Sequence, residues 1–544
     1  MSEFKLKSIT SLSLAPGEKQ EVEVEGIEGG KVLLANTGGT VRALGSKCTH
    51  YGAPLVKGVL TTDGRLTCPW HGACFNAKTG DIEDAPALDP ITVFKVTERD
   101  GAVYIVGEEA AIKSGRRKPN MKCNAAKGAD DKKVIVVGGG SGALGAIEGL
   151  RNGGYSGPLT VISREGHFPI DRTKLSKALL TDVEKLQWRD SAFYDSGSVQ
   201  WVNDEVVDVD FSGRSVTTKS GEKHAYGKII LATGGTPRQL PLQGFKVLEN
   251  IFTLRSLDDT KKIVAAIGDK GKRIVIVGSS FIGMEVANAT AKDNTVTIIG
   301  MEETPLERVL GTKIGAGIQK AVEQSGVKFH MSAGVDKAEP STSDPAKVGA
   351  VYLKDGTKIE ADLVILGVGV SPATEFLQNN KAVSLEKDGS LKTDDNFSIA
   401  GVKDAYAIGD IATYPYRGPG GEGKHTRIEH WNVAQNAGRT VANHIIDGAA
   451  KQEVVIPVFW SALGAQLRYC GNTAGGWDDV VIQGSIDDKS FAAFYSNGET
   501  VVAVATMGKD PVMAQASELM RLGKMPKKSE LQGGLDVLSL GSPA

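Results

Sequence analysis

The sequence predicts a multidomain chain in which a small all-β module precedes two α/β units and an α+β unit closes the C-terminus. Three observations carry this. The chain has 544 residues, which at about 150 residues per domain implies three to four domains. Short alternating apolar runs between glycine turns dominate up to about residue 108 and return after about residue 453, the pattern of half-buried strands. Between them an apolar β-branched strand twice runs into a glycine turn and a helical stretch, at 134–137 and again at 274–277. That alternation belongs to a parallel sheet covered by helices.

Taken in order, strands are expected at 20–24, 31–35 and 103–106. Residues 110–131 are polar, with Lys113, Arg116, Arg117, Lys118 and Pro119 and almost no apolar periodicity. They read as a linker whose coil dimension of roughly 25 Å lets the first module dock on the rest. After residue 453, strands are expected at 480–483, 490–495 and 501–506, followed by a helical stretch around 513–521. The resulting boundaries are 1–109 for the first module and 110–131 for the linker. The first α/β unit takes 132–258 and 377–453, the second 259–376, and the α+β unit 454–544.

Lys and Arg total 63 against 65 for Asp and Glu, a formal charge of −2, which argues against a nucleic-acid or anionic-membrane surface. The five cysteines, Cys48, Cys68, Cys74, Cys123 and Cys470, are too few and too spread for a secreted disulfide framework. No apolar stretch reaches the roughly 18 residues of a membrane span, and the first residues lack the pattern of a signal peptide. The expectation is a soluble, intracellular, cytoplasmic protein, with the mitochondrion as the alternative location.

Cys48-Thr-His50 and Cys68-Pro-Trp-His71 each offer one thiolate and one imidazole on a short loop. Two Cys and two His can hold one tetrahedral zinc. They can also hold a [2Fe–2S] cluster, with the Cys pair on one iron and the His pair on the other. Zinc motifs more often pair like with like in each half, so the mixed halves favour iron–sulfur. On C-T-H-Y-G-A-P-L and C-P-W-H-G-A, with Gly52, Pro54, Pro69 and Gly72 flanking the ligands, this module resembles the Rieske family. Respiratory-complex members carry an extra cysteine in each loop, where this sequence has Ala53 and Trp70. The resemblance is therefore to ferredoxin-type members and implies a lower potential. Cys74, Cys123 and Cys470 have no partner at ligand spacing and read as core or linker thiols.

Each α/β strand opens a dinucleotide fingerprint. The first is Gly138, Gly140 and Ala143, with 140/142/145 as the other possible reading. Its glycines let the backbone approach a pyrophosphate that sits on the following helix N-terminus. Glu165, after the strand at Leu159–Ser163, is the candidate for a ribose hydroxyl. The second runs Gly278, Ser279, Ser280, Phe281, Ile282, Gly283, with Ser280 in place of the middle glycine, where a hydroxymethyl crowds the pyrophosphate. Thr295–Ile299 then leads to Glu302, an acid that favours NADH by repelling the 2′-phosphate of NADPH. Arg308, nearby in sequence, is the residue that could accommodate NADPH. Both units are accordingly of the Rossmann type.

Ala232-Thr-Gly-Gly235, 367–372 with Gly369, and 406–410 with Asp410 follow apolar strands in an order that resembles the pyridine-nucleotide-dependent flavoprotein reductases, with a glutathione-reductase-like arrangement. The motifs at 169–177, 255–257 and 427–431 are similar to the ferredoxin-reductase and apoptosis-inducing-factor branch. With the first module in front, the whole chain resembles the Rieske-bearing apoptosis-inducing-factor-like proteins. That resemblance implies FAD contacts from Arg172, Lys177, Val207, Arg255, Asp410, His430, Trp431 and Trp460, and places Gly369 and Glu429 among the cofactor contacts. It also implies a catalytic Lys177–Glu285 ion pair near the flavin. Without it, Trp431 and Trp460 read as core aromatics and Lys177 as a solvated lysine. No cysteine lies between Cys123 and Cys470, which removes the dithiol chemistry of the disulfide-reductase branch.

Glu422, His425 and His430 match the spacing of a mononuclear iron triad, but Gly418, Gly420, Gly421 and Gly423 make this a loop. The expected function is electron transfer from NADH through FAD to the fused cluster and on to an unknown acceptor, without nucleic acid or membrane span. A slow, NADH-responsive signalling protein and a Rieske oxygenase are the alternatives.

Overall fold

The computed structural model describes residues 2–123, 132–449 and 454–543. Part of the expected linker, 124–131, and the expected boundary residues 450–453 lie outside them.

Alternation of apolar and polar residues folds the N-terminal module into two antiparallel sheets. Six strands, Ser2–Lys5, Ala102–Gly107, Val93–Arg99, Thr40–Gly45, Lys31–Thr37 and Lys19–Glu23, pair in that order. Four shorter ones, Val59–Leu60, Arg65–Thr67, Cys74–Asn76 and Ile82–Asp84, make the second sheet. Leu33, Leu44, Leu55, Leu66 and Phe75 bury a core beneath the two cysteine–histidine loops.

The segment expected as a polar tether differs in its described part. Glu109–Ser114 is a helix with Ile112 buried, and Arg116 and Arg117 pair with Asp89 and Asp81 of the module. Met121 enters the core of the first α/β unit. A six-residue helix carries too few apolar positions to show a period, and Lys113, Arg116 and Arg117 are ion-paired.

In the first α/β unit, Val199–Asn203, Leu159–Ser163, Val134–Val137, Lys228–Leu231 and Ala405–Ala407 form a parallel sheet in that order. The second has Ile251–Thr253, Leu363–Leu366, Arg273–Val277, Thr295–Ile299 and Lys328–His330, also parallel. Ala405–Ala407 thus rejoins the first sheet after the chain has completed the second. Continuous β-branched runs suit strands buried on both faces. The helices Ser141–Asn152 and Trp431–Ile446 cross closely beside the first sheet. A Cβ on Gly145 would stand 2.1 Å from the Gln435 carbonyl oxygen, and one on Gly438 2.3 Å from that of Gly142.

The C-terminal unit is an antiparallel sheet in the order Val458–Ala462, Gln466–Gly471, Thr500–Met507, Ser490–Asn497, Asp479–Ser485. The helix Val512–Arg521 packs on it over a core that contains Cys470.

Gly145→Val should force the two crossing helices apart and cost about 2–3 kcal/mol, read as a lower midpoint of thermal unfolding. Melting at the wild-type temperature would contradict the close crossing.

Candidate active site

The two cysteine–histidine loops are built alike. Cys48 N–H donates to Ala53 O and Cys68 N–H to Ala73 O, each at 2.8 Å. Each loop turns through a left-handed glycine, Gly52 or Gly72. The closures aim four donors together: the Cys48 and Cys68 thiols hydrogen-bond one another, and His50 Nδ1 lies 3.1 Å from His71 Nδ1. Backbone N–H groups of His50 and Tyr51 point at the Cys48 sulfur, and those of Trp70 and His71 at that of Cys68.

Burial, reinforced by Lys174, lowers the His50 pKa to about 3. Burial followed by His50, Arg468 and Lys177 lowers that of His71 well below the ordinary value. Both imidazoles are therefore neutral, the form a metal takes. The proton shared with Cys68 and then burial push the Cys48 thiol up. Among the described residues no three His, Cys, Asp or Glu side chains meet around one ion. The donors instead form a sulfur pair and a nitrogen pair, which fits two irons better than one tetrahedral zinc.

A cavity of about 960 Å³ runs between the two α/β units and the C-terminal sheet. Gly138 and Gly140 stand at its head. Gly138 has φ +110°, and a Cβ there would meet Ala232 O at 2.2 Å; a Cβ on Gly140 would have nothing within 4 Å. That open wall beside the helix N-terminus is a place for a pyrophosphate. Ala143 is fully buried in the core beneath, so its part is helix packing. Gly145, from the other reading of the fingerprint, serves the helix crossing described above.

Glu165, Arg172, Lys177, Val207, Arg255 and Asp410 line the same cavity. Glu165 pairs with Arg172 at 2.7 Å, an Arg172 guanidinium N–H donates to Arg255 O at 2.6 Å, and Arg255 pairs with Asp410 at 2.7 Å. Burial alone would raise the Glu165 pKa, but Arg172 holds it below its ordinary value. His430, Trp431 and Trp460 also line this cavity. His430 Nδ1 and Trp431 Nε1 are buried with no hydrogen-bond partner among the described residues. Burial lowers the His430 pKa to about 4, against the pull of Asp410. Unsatisfied polar atoms on an apolar wall fit a heteroaromatic ring system such as a flavin.

Towards the second fingerprint the wall is Ser280, Phe281, Ile282, Glu285, Gly369 and Glu429. Gly278, Ser279, Gly283 and Glu302 are not on it. Gly278 and Gly283 instead permit close backbone contact, with Cβ atoms that would stand 2.4 Å from Gly367 O and 2.3 Å from Gly278 O. Ser280 Oγ donates to Gly367 O at 2.8 Å, so the hydroxyl turns aside and the expected crowding is relieved. Glu302 lies 3.3 Å from Arg308 Nε, and Arg308 does reach the cavity.

Lys177 and Glu285 form an ion pair at 2.9 Å. Glu285 is 4% exposed and also accepts hydrogen bonds from Ser176 and Ser461. One carboxylate thereby ties three units beside the cavity.

Trp460 connects the cavity to the cysteine–histidine loops. Its ring lies 4.4 Å from that of His71 and 5.5 Å from that of His50, while another edge lines the cavity. His50 is 7% exposed and His71 5%. Tyr51 donates to Asp171, and Arg189 reaches Asp89 at 2.8 Å and Glu148 at 2.9 Å. These docking residues carry no chemical signature of their own in the sequence. Tyr51 and Asp171 do lie inside motifs already noted, whereas Arg189 carries no local signal.

The suspected iron triad does not form. His425 Nε2 lies 3.1 Å from Thr393 O, Glu422 is exposed on a left-handed turn, and His430 stacks on Phe459 at 5.1 Å. The local spacing persists, but the loop sends the side chains to different neighbours. None of the five cysteines is in a disulfide.

Residues 5–95 match the Rieske [2Fe-2S] domain, 132–438 the pyridine nucleotide-disulphide oxidoreductases, and 458–534 the reductase C-terminal domain. Apoptosis-inducing factor 3 of Homo sapiens is 37% identical over 525 residues, covering 95% of this chain and 84% of the relative. Putidaredoxin reductase of Pseudomonas putida is 30% identical, covering 74% and 94%. A crystal structure of a ferredoxin reductase from Rhodopseudomonas palustris superposes with a TM-score of 0.70 at 26% identity, covering 75% of this chain and all of that one. The covalent putidaredoxin reductase–putidaredoxin complex gives 0.69 at 27% identity, covering 75% and 98%.

Cys68→Ser should abolish the visible and electron-spin signals of the cluster while FAD content stays near one per chain, as iron and flavin analysis would report. Loss of both groups would contradict separate sites. In FAD-free protein His430 titrates near 4 when folded and near 6.5 when unfolded. The unfolded chain then binds the extra proton first, so the His430 contribution to stability is complete above pH 6.5. It falls by up to about 3 kcal/mol towards pH 4. Denaturant unfolding across this range should show a shallower slope in His430→Gln; an unchanged slope would assign the dependence to other groups.

Proposed function

The chain belongs to the pyridine nucleotide-disulphide oxidoreductase family, and we propose that it takes electrons from NADH and delivers them singly to its own Rieske cluster and on to an external acceptor. At the coarser level it is a ferredoxin-reductase-like, FAD-dependent NAD(P)H oxidoreductase that carries a Rieske [2Fe–2S] domain. When bound, FAD takes hydride from a nicotinamide and releases electrons one at a time, the form in which an iron–sulfur cluster accepts them.

One observation carries the internal route: Trp460 lines the flavin cavity and lies against both His50 and His71. The protein's own work is positioning. Gly138, Gly140 and the helix N-terminus receive the pyrophosphate, Arg172, Arg255 and Asp410 grip the rest of FAD, and His430 and Trp431 offer free donors to it. Lys177, held by Glu285, sets a fixed positive charge beside the ring. Phe281 and Ile282 form the nicotinamide side. Glu302 favours NADH, and Arg308, exposed for 80% of its side chain, balances that acid. His50 and His71 are both buried, which shields the cluster end of the path from water.

Similarity to apoptosis-inducing factor 3 supports the second reading, a slow NADH-responsive signalling protein. Sustained NADH oxidation with an artificial acceptor would favour the oxidoreductase.

Anaerobic titration with NADH should bleach the flavin and then raise the Rieske electron-spin signal. A flavin that reduces while the cluster stays oxidised would reject transfer in this direction.

A further inference from the structure

A second file of rings joins the flavin cavity to the cluster loop. Trp431, on the cavity wall, faces Trp188 with centroids 5.8 Å apart. Trp188 lies 5.7 Å from His50 and 6.3 Å from Tyr51, and Tyr51 stacks on His50 at 3.9 Å with 13° between the planes. We propose that Trp188 is a second aromatic bridge between the flavin cavity and His50, parallel to Trp460. This rests on the direction of electron flow proposed above.

Three features distinguish Trp188 from packing alone. Its Nε1 is buried without a hydrogen-bond partner among the described residues. A phenyl ring would leave no donor unbonded there, so the indole N–H is held at a cost to stability. The ring is also fixed in place. Trp188 N–H donates to Pro169 O at 3.1 Å, and the neighbouring Arg189 is clamped between Asp89 and Glu148. Asp89 O in turn accepts from Thr49 Oγ1 at 2.7 Å, and Thr49 sits between the ligands Cys48 and His50. The clamp that holds the indole therefore also holds the cluster loop, and sets their separation.

Finally, Lys174 Nζ lies 5.8 Å from the Trp188 ring and 5.3 Å from that of Tyr51. A positive charge over a ring favours its neutral, electron-rich state and opposes its oxidation. The indole is therefore crossed rather than oxidised. One electron passes from the flavin site to the cluster, one ferric ion becomes ferrous, and Trp188 begins and ends neutral. NADH is the reductant. An external one-electron acceptor reoxidises the cluster before the second electron follows.

Parallel bridges have a signature that a structural role lacks, because either one covers for loss of the other. The test is rapid anaerobic mixing of NADH with holoenzyme carrying Trp188→Leu, Trp460→Leu or both, following flavin and cluster separately. Trp188→Leu alone should slow cluster reduction less than about twofold, whereas in the Trp460→Leu background it should slow it about fivefold or more, a coupling measured by the double-mutant cycle. Flavin reduction should be unchanged by Trp188→Leu in either background. The electron-spin spectrum of dithionite-reduced protein, the cluster potential and the iron content should also stay as in the wild type. Trp188→Phe, which keeps a ring, should retain most of the rate in the Trp460→Leu background. An equal factor in both backgrounds, or none in the second, would overturn the bridge. So would an altered spectrum or potential in Trp188→Phe, which would make Trp188 a positioning residue for His50. Should the wild-type cluster fail to accept electrons at all, the direction of flow is wrong and the bridge falls with it.

Discussion

His50 and His71 turn their rings into the rest of the protein, where Trp460 covers both, and this contact sets what the other parts must do. A cluster held by these loops would have its two imidazoles on the side that faces Trp460. The N-terminal module therefore has to be seated accurately, and it is seated largely by buried charge. Arg189 bridges Asp89 of the module to Glu148 of the helix Ser141–Asn152. At the other end Arg65 reaches Glu518 of the C-terminal helix at 3.3 Å. A buried pair adds little net stability over apolar packing, but losing one partner costs about 3–5 kcal/mol. Such contacts favour one seating over near neighbours.

The same economy governs the cavity. Glu285 receives Lys177, Ser176 and Ser461 from two other units, so the charge beside the expected flavin ring is fixed before any cofactor arrives. The chain Glu165–Arg172–Arg255–Asp410 spans the two arms of the first unit in the same way. Preorganised charges of this kind need no rearrangement at the moment of transfer. Reduction of a cofactor alters charge locally, and a rigid frame keeps the distance between centres constant while it does so.

Much of this was legible in the chain itself. The β-branched runs at Val134–Val137, Leu159–Ser163 and Thr295–Ile299 fall where the strands do, because a buried parallel strand is written in consecutive residues. Cys48, His50, Cys68 and His71 could be grouped because each pair shares one short loop. The helix Glu109–Ser114 could not be read, being one turn held by its neighbours. The triad at Glu422, His425 and His430 shows the converse: correct spacing in a loop does not make side chains converge.

The sequence by itself determined the unit order, the two cysteine–histidine pairs and the two glycine turns, since each depends on residues a few positions apart. Only the tertiary structure decided that Trp460 and Trp188 stand between cavity and cluster loop, that Ser280 turns its hydroxyl to Gly367, and that Glu285 joins three units. These partners lie far apart in the chain: Ser461 stands 176 positions from Glu285, and Trp460 stands farther still from His50. Which distant side chains meet is set by how whole sheets and helices pack, and one chain read in order carries no local record of that.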